Sequence, residues 1–129
     1  MADLKEKGIA LVSQTLAQSL AAVTSVALYI VPTGKEFTPF AVCISKISAT
    51  ITTATVTFGQ VGALTDFLPT QTLTNITTAG ASVWLMPIPF ATPALEIITY
   101  TAGEVFTMDI TAADAATADI SVFGFINDA

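Results

Sequence analysis

The 129-residue sequence contains no histidine and no arginine, and its single cysteine is Cys43. Ser-His-Asp and Cys-His nucleophile systems both require a histidine, so neither can form in this chain. One cysteine without histidine cannot supply the four ligands of a usual zinc site, nor can it form a disulfide within the chain. We therefore expect no catalytic residues, no bound metal and no cofactor, and we predict that the protein is not an enzyme.

Charged residues are scarce, at 11% of the chain against about 25% in typical soluble domains. Four lysines and ten acidic residues give a net charge of −6. Binding to a phosphate backbone depends on clustered basic side chains. The lysines are instead scattered along the chain, so we do not expect binding to nucleic acid; they are Lys5, Lys7, Lys35 and Lys46.

Apolar residues are abundant, at 53% of the sequence. A domain of about 100–150 residues can bury a core of its own, and this length fits one such domain. The small number of charges leaves little to keep the remaining surface in water. We therefore expect neighbouring subunits to cover part of it, in a homo-oligomer such as a dimer or trimer, or in a larger assembly.

An uncharged stretch runs from Gly8 to Gly34 and is long enough to span a bilayer. Seven serine, threonine and glutamine residues from Ser13 to Ser25 interrupt it, which makes a spanning helix unfavourable. We therefore expect no membrane partner. A signal or anchor segment over residues 9–31 stays open as an alternative, and analysis of the mature N-terminus would decide it.

Runs of β-branched and aromatic residues between glycine and proline turns predict about eight short strands. From residue 23 onward the predicted strands cover residues 26–31, 37–47, 51–58, 64–76, 82–86, 95–100, 105–110 and 120–126. Residues 9–23 fit both helical and strand spacing, and the later sequence favours a strand. We predict an all-β fold, an antiparallel two-sheet β-sandwich, with residues 1–22 as an N-terminal arm or first strand and residues 23–129 as the sandwich domain.

The carboxylates are the next side chains to consider as a functional site. Most of them lie in predicted turns or alternate with apolar residues, which indicates a solvated rim. Asp114 and Asp119, in an alanine- and threonine-rich segment, could bind calcium together with carbonyl oxygens. No EF-hand spacing accompanies them, so the solvated rim is the preferred interpretation.

Three aromatic residues could form a platform for a carbohydrate. Trp84, Tyr29 and Tyr100 each stand in an apolar strand, which favours packing in the core over exposure to a sugar. The emission of the only tryptophan would separate the two interpretations.

One pattern occurs twice. Residues 29–38 and 100–107 each contain a tyrosine-ended strand, a glycine turn, a glutamate and a Phe-Thr restart. The pattern indicates either two equivalent corners of a two-sheet sandwich or the common chemistry of unrelated hairpins.

Several segments together resemble a known family. The segment LYIVPTGKEF at residues 28–37 is similar to the strand-turn-strand of small virion proteins of tailed phages, and VTFG at 56–59 resembles the strand that follows. YTAGEVF at 100–106 and VFGF at 122–125 resemble the closing strands. The resemblance covers about residues 23–126. It implies a jelly-roll-like capsid cement (decoration) protein on the capsid surface of the virion, which binds the major capsid protein and stabilises its lattice. The alternative is a phage tail or fibre β-sandwich module that binds carbohydrate or another tail protein.

Two segments are predicted to carry the contacts with partners. The N-terminal residues 1–20 can become ordered on a neighbour, and the proline-rich loop at 87–93 is stiff before it binds. The interface residues that we predict within these segments are Leu4, Ile9, Leu11, Val12, Pro87, Ile88, Pro89 and Phe90.

Overall fold

The computed structural model describes residues 8–74, 76–87 and 97–129. Within these residues the chain forms eight β-strands and no helix, arranged as two antiparallel four-stranded sheets. The predicted all-β, two-sheet sandwich is therefore confirmed. In chain order the strands are β1 (Ala10–Ser19), β2 (Ser25–Ile30), β3 (Lys35–Ser45), β4 (Thr55–Gln60), β5 (Ala63–Thr72), β6 (Val83–Leu85), β7 (Val105–Ala112) and β8 (Thr117–Asp128).

Successive strands of the chain mostly belong to different sheets. Sheet A has the strand order β1-β8-β3-β6, and sheet B has the order β2-β7-β4-β5. The first half of the chain pairs with the second half in reverse order, with β1 on β8, β2 on β7, β3 on β6 and β4 on β5. Each of the first three connections therefore crosses from one sheet to the other.

The segment 9–23, which fitted two kinds of spacing, forms a strand over Ala10–Ser19. β1 lies at the edge of sheet A and pairs with β8 from Ala10 to Ser19. A bulge interrupts the pairing near Ala17, whose φ of 51° is rare for a residue other than glycine. The Ala17 N–H donates to the carboxylate of Asp119 at 2.9 Å, which holds the bulge against β8. The described part of residues 1–22 is thus the first strand of the sandwich.

An aromatic cluster fills the space between the sheets. The rings of Phe37 on β3 and Phe106 on β7 lie 5.9 Å apart, and so connect sheet A to sheet B. Tyr100 and Phe58 pack against Phe106 at 5.8 and 6.1 Å, and Tyr29 meets Phe37 edge-on at 5.0 Å. Such ring pairs contribute about 0.5–1.5 kcal/mol each beyond the area that they bury.

The two copies of the repeated pattern form neighbouring corners. The chain passes from β2 in sheet B to β3 in sheet A through Gly34, and from Tyr100 beside β3 into β7 of sheet B through Gly103. Both glycines have positive φ, 79° and 86°, which glycine adopts without a steric penalty. The Gly103 N–H donates to the Val31 carbonyl at 2.9 Å, so the two corners are also hydrogen-bonded to each other.

The strand predicted over residues 51–58 is wrong in its first half, since β4 begins at Thr55. The backbone N–H groups of Thr53 and Thr52 donate to the Asp114 carboxylate, at 3.0 and 2.6 Å, and are therefore unavailable to a neighbouring strand. These hydrogen bonds, from Thr53 first and then Thr52, lower the pKa of Asp114 below its ordinary value. A carboxylate distant in sequence thus sets where the strand starts.

The strand predicted over residues 95–100 is wrong for the part that the structure describes. Residues 97–99 lie outside any strand, and residues 95 and 96 are not among those described. Tyr100 forms an isolated bridge with Phe37, in which each backbone N–H donates to the other residue's carbonyl, at 2.9 and 2.7 Å. The segment meets β3 at this one pair before it turns toward sheet B, so no ladder extends along it.

Gly124 on β8 provides a test of the packing between the strands. An added Cβ would lie 2.5 Å from the ring of Phe37 and would also collide with the Thr38 carbonyl. We expect Gly124→Ala to lower the free energy of unfolding by about 3 kcal/mol, measured by urea unfolding. Gly80→Ala is the matched control, because the space around Gly80 is open and only its φ of 85° is strained, which costs about 1 kcal/mol. Equal losses at the two positions would contradict this account.

Asp114 provides a test of the loop before β4. Because folding lowers the pKa of Asp114, its carboxylate stabilises the fold above the ordinary pKa, and this contribution is lost as the pH falls through the lowered value. We expect Asp114→Asn to lower the melting temperature at pH 7 and to reduce the difference between pH 7 and acid pH. Parallel melting curves for the two proteins across this pH range would count against the assignment.

Candidate interaction surface

The outer face of sheet A is the side of that sheet that points away from sheet B. Successive side chains of a strand point to opposite faces, and paired residues share a face. The strand pairings align Leu11 with Phe123, Phe123 with Ala41, and Cys43 with Trp84. These five residues form a continuous apolar row across all four strands, and we call them the apolar row.

Trp84 is the most prominent member of the apolar row. Its side chain is 56% exposed, and its ring lies 5.2 Å from that of Phe123 with an angle of 46° between the planes. The prediction that Trp84 packs in the core is wrong. β6 is so short that the apolar neighbours that suggested burial, Val83 and Leu85, take the core side and leave Trp84 on the outer side.

The two tyrosines of the predicted aromatic set lie elsewhere. Tyr100 is fully buried, as predicted, and its hydroxyl donates to the Asp66 carboxylate at 2.5 Å. Burial first, and then this hydrogen bond, raises the pKa of Tyr100 far above its ordinary value. Tyr29 is half-buried against Phe37. The structure therefore does not bring these tyrosines together with Trp84 in a platform.

Cys43 is half-buried beside Trp84. Burial raises the pKa of its thiol, so the reactive thiolate is less abundant at neutral pH than for a free cysteine. The side chain thus acts as a small apolar member of the row.

Two acids of this face, Glu36 on β3 and Asp119 on β8, lie on opposite sides of the row, toward the two ends of the strands. Asp119 is the acid that the pairing places nearest to the row on β8, and it is buried; besides the Ala17 N–H, its carboxylate lies 3.9 Å from the Lys46 ammonium. Among the described residues, the row itself carries no charge. Sheet B differs: on its outer face Asp109 accepts a hydrogen bond from Ser25 at 3.0 Å, and threonines of β4 and β7 pair through their hydroxyls at 2.7 Å.

The residues predicted as interface contacts fall into three groups. Ile9 and Leu11 are exposed at the start of β1, and Leu11 belongs to the apolar row. Val12 packs against the core, and Pro87 is half-buried just after β6. The remaining four, Leu4, Ile88, Pro89 and Phe90, lie outside the described residues.

Sequence reasoning missed Phe123, Cys43 and Trp84 as members of one surface. The alternation in residues 120–125 carried a signal, because Phe123 and Phe125 stand out of phase with Ile120 and Val122. What the sequence lacks is the register between strands, which brings Leu11 and Trp84 to the same face.

The proposed calcium ligands are occupied by other partners. Asp114 caps the backbone of Thr52 and Thr53, whereas Asp119 binds Ala17 and Lys46. Within the described ranges, no three acidic or cysteine side chains are grouped as metal ligands would be. A membrane-crossing helix is likewise not found in the described part of the chain.

Comparison with protein-family models, with curated proteins and with solved structures finds no match for this chain. The features that bear on function are therefore the strand pairing and the apolar row.

The reaction rate of the Cys43 thiol tests whether this member of the row is buried beside Trp84. We expect it to react with Ellman's reagent more slowly than free cysteine at pH 8, and to keep accelerating at higher pH, because its pKa is raised. Trp84→Ala should speed the reaction by exposing the thiol to water, whereas Ile30→Ala in β2 should leave the rate unchanged. A wild-type rate equal to that of free cysteine at every pH would refute the burial of this side chain.

Proposed function

We propose that this protein is a virion structural protein of a tailed phage, a capsid cement or decoration protein that stabilises the major capsid lattice. Its partner is the major capsid protein, and its place is the capsid surface of the virion. The proposal joins the family resemblance of residues 23–126 to two features of the described structure.

The first supporting feature is the strand pairing. When β1 pairs with β8, β2 with β7, β3 with β6 and β4 with β5, the chain is one long antiparallel hairpin rolled into two sheets. This pairing supports a jelly-roll description, an architecture found in viral capsid proteins and also in lectins and cupins. We propose the jelly-roll description on this basis, and since a fold alone does not determine function, the surface must supply the rest.

The apolar row is the observation that carries the proposal. A protein that acts by covering other proteins needs exposed apolar area without charge, which gains about 25 cal/mol per Å² on burial before the costs of association. Leu11 and Trp84 at the two edges of the row are both at least half exposed. A lattice repeats each such contact many times, so modest individual contacts suffice.

Capsid occupancy tests this function. We expect the purified protein to bind undecorated capsids of its phage at a fixed ratio and to raise the temperature at which they break. Removal of residues 1–8 should reduce occupancy without changing the protein's own melting temperature, because β1 begins only at Ala10. Trp84→Glu in the row should also reduce occupancy, and Ile30→Glu, on β2 of sheet B, controls for its added negative charge. A wild-type protein that leaves capsids bare at saturating concentration would refute the function.

The exposure of Trp84 supports one second candidate function, that of a phage tail or fibre module that binds carbohydrate. An exposed indole can stack on the apolar face of a sugar, and Trp84 is exposed. Titration with a panel of bacterial surface oligosaccharides, followed by Trp84 emission, separates the candidates. Saturable change in emission, lost in Trp84→Ala, would favour the module, and unchanged emission would favour the cement protein.

A further inference from the structure

We propose that the outer face of sheet A is a homodimer interface, in which the apolar row of one chain packs against the same row of a second copy around a two-fold axis. This inference goes beyond the capsid function, because it concerns the free protein in solution. The row cannot contact a second copy and the capsid protein at once, so a weak dimer would dissociate when a chain binds the capsid through the row.

The net charge of the chain indicates which kind of partner the row would bind. The chain carries a net charge of −6, so a basic partner would be attracted to its acidic surfaces. Four of the seven described acids lie on or next to strands of sheet B, away from the row; they are Asp66, Glu104, Asp109 and Asp114. An uncharged row on an acidic protein suits a partner that is itself acidic, because contact there keeps the like charges apart. A second copy of this chain meets that requirement, because it is equally acidic and carries the same uncharged row.

The burial of the nearest acid supports the same choice. Asp119 stands two residues along β8 from Ser121, the pairing partner of Cys43, or about 7 Å, which is within the Debye length of about 8 Å at physiological ionic strength. Its carboxylate is buried, however, accepts the Ala17 N–H and lies 3.9 Å from the Lys46 ammonium, and these contacts offset its repulsion. Two copies can therefore approach through the row at little electrostatic cost.

The area of the face matches a weak dimer. Strands lie about 4.8 Å apart and rise about 3.3 Å per residue, so about nine residues of the three long strands, with Trp84 beside them, cover a footprint of roughly 500–600 Å². This footprint includes polar positions beside the row as well as the row itself. Two copies would bury roughly 1,000–1,200 Å² in total, at the lower end of the range for specific interfaces. We therefore expect a dissociation constant in the micromolar range rather than a permanent dimer.

The row is also self-complementary. Exposed apolar side chains stand at both of its edges, Leu11 on β1 and Trp84 on β6, and small side chains, Ala41 and Cys43, lie between them on β3. A two-fold axis lying in the interface sets each apolar edge against an apolar edge, whether it runs along the strands or across them. Packed sheets about 10 Å apart would interleave these side chains as a sandwich core does.

Sedimentation velocity from 1 to 500 µM, without capsids, tests the inference. We expect the wild type to shift from monomer to dimer across this range. Trp84→Glu and Leu11→Glu should each weaken association at least tenfold, because each buries a carboxylate in the interface. Ile30→Glu adds the same charge at a residue that is 62% exposed on sheet B, and it should dimerise like the wild type.

A second measurement needs no variant, so misfolding of a substituted protein cannot obscure the result. The emission of Trp84 in the wild type should shift to longer wavelength on dilution, with the same midpoint as the change in mass. A wild type that remains monomeric to 500 µM would overturn the inference, as would a dimer that Ile30→Glu disrupts and Trp84→Glu does not. If the monomeric wild type still binds capsids, and Trp84→Glu does not, the row faces the capsid and only the dimer is refuted.

Discussion

The contact between Phe37 and Phe106 joins the two sheets, and much of the sandwich depends on it. Phe37 is packed by Tyr29 and Tyr100 as well, so one ring lies at the meeting point of both inter-sheet corners. The repeated Gly turn and Phe-Thr restart place these rings at equivalent points of the two corners. The same ring explains why β8 carries glycine at 124, since no larger side chain fits beside it.

Local sequence predicted the parts of the fold that local chemistry determines. Alternating β-branched residues and glycine turns gave the number of strands and the sandwich class, because those signals act over a few residues. The start of β4 could not be predicted, since it depends on hydrogen bonds from Thr52 and Thr53 to the distant Asp114. The interaction surface was only partly predictable for the same reason: Leu11 was named from the sequence, whereas Trp84 joins it only through the pairing of four strands.

The two outer faces of the sandwich differ in the side chains that they expose. On sheet B, hydroxyl and carboxylate groups bind one another, and Ile30 is an exposed apolar side chain at the end of β2. On sheet A, the exposed side chains of Trp84 and Leu11 belong to one apolar row that crosses all four strands. A continuous apolar row with exposed members is the kind of surface that proteins use for contact with other proteins, and the acids Glu36 and Asp119 flank this row toward the two ends of β3 and β8. The proposed capsid role and the proposed dimer both use this asymmetry.

The pairing of the first strand with the last has a mechanical consequence. β1 is an edge strand that runs antiparallel to β8, with Ala10 opposite Gly124, so the segments before β1 and after β8 emerge at the same end of sheet A. Antiparallel hydrogen bonds lie perpendicular to the strands, and tension between these two segments would load them one pair at a time, like a zipper. Stretching would therefore peel β1 away at low force, whereas pressure on the sheet faces would be shared by the whole core. Such a molecule is suited to bear load through its faces and poorly suited to act as a tether.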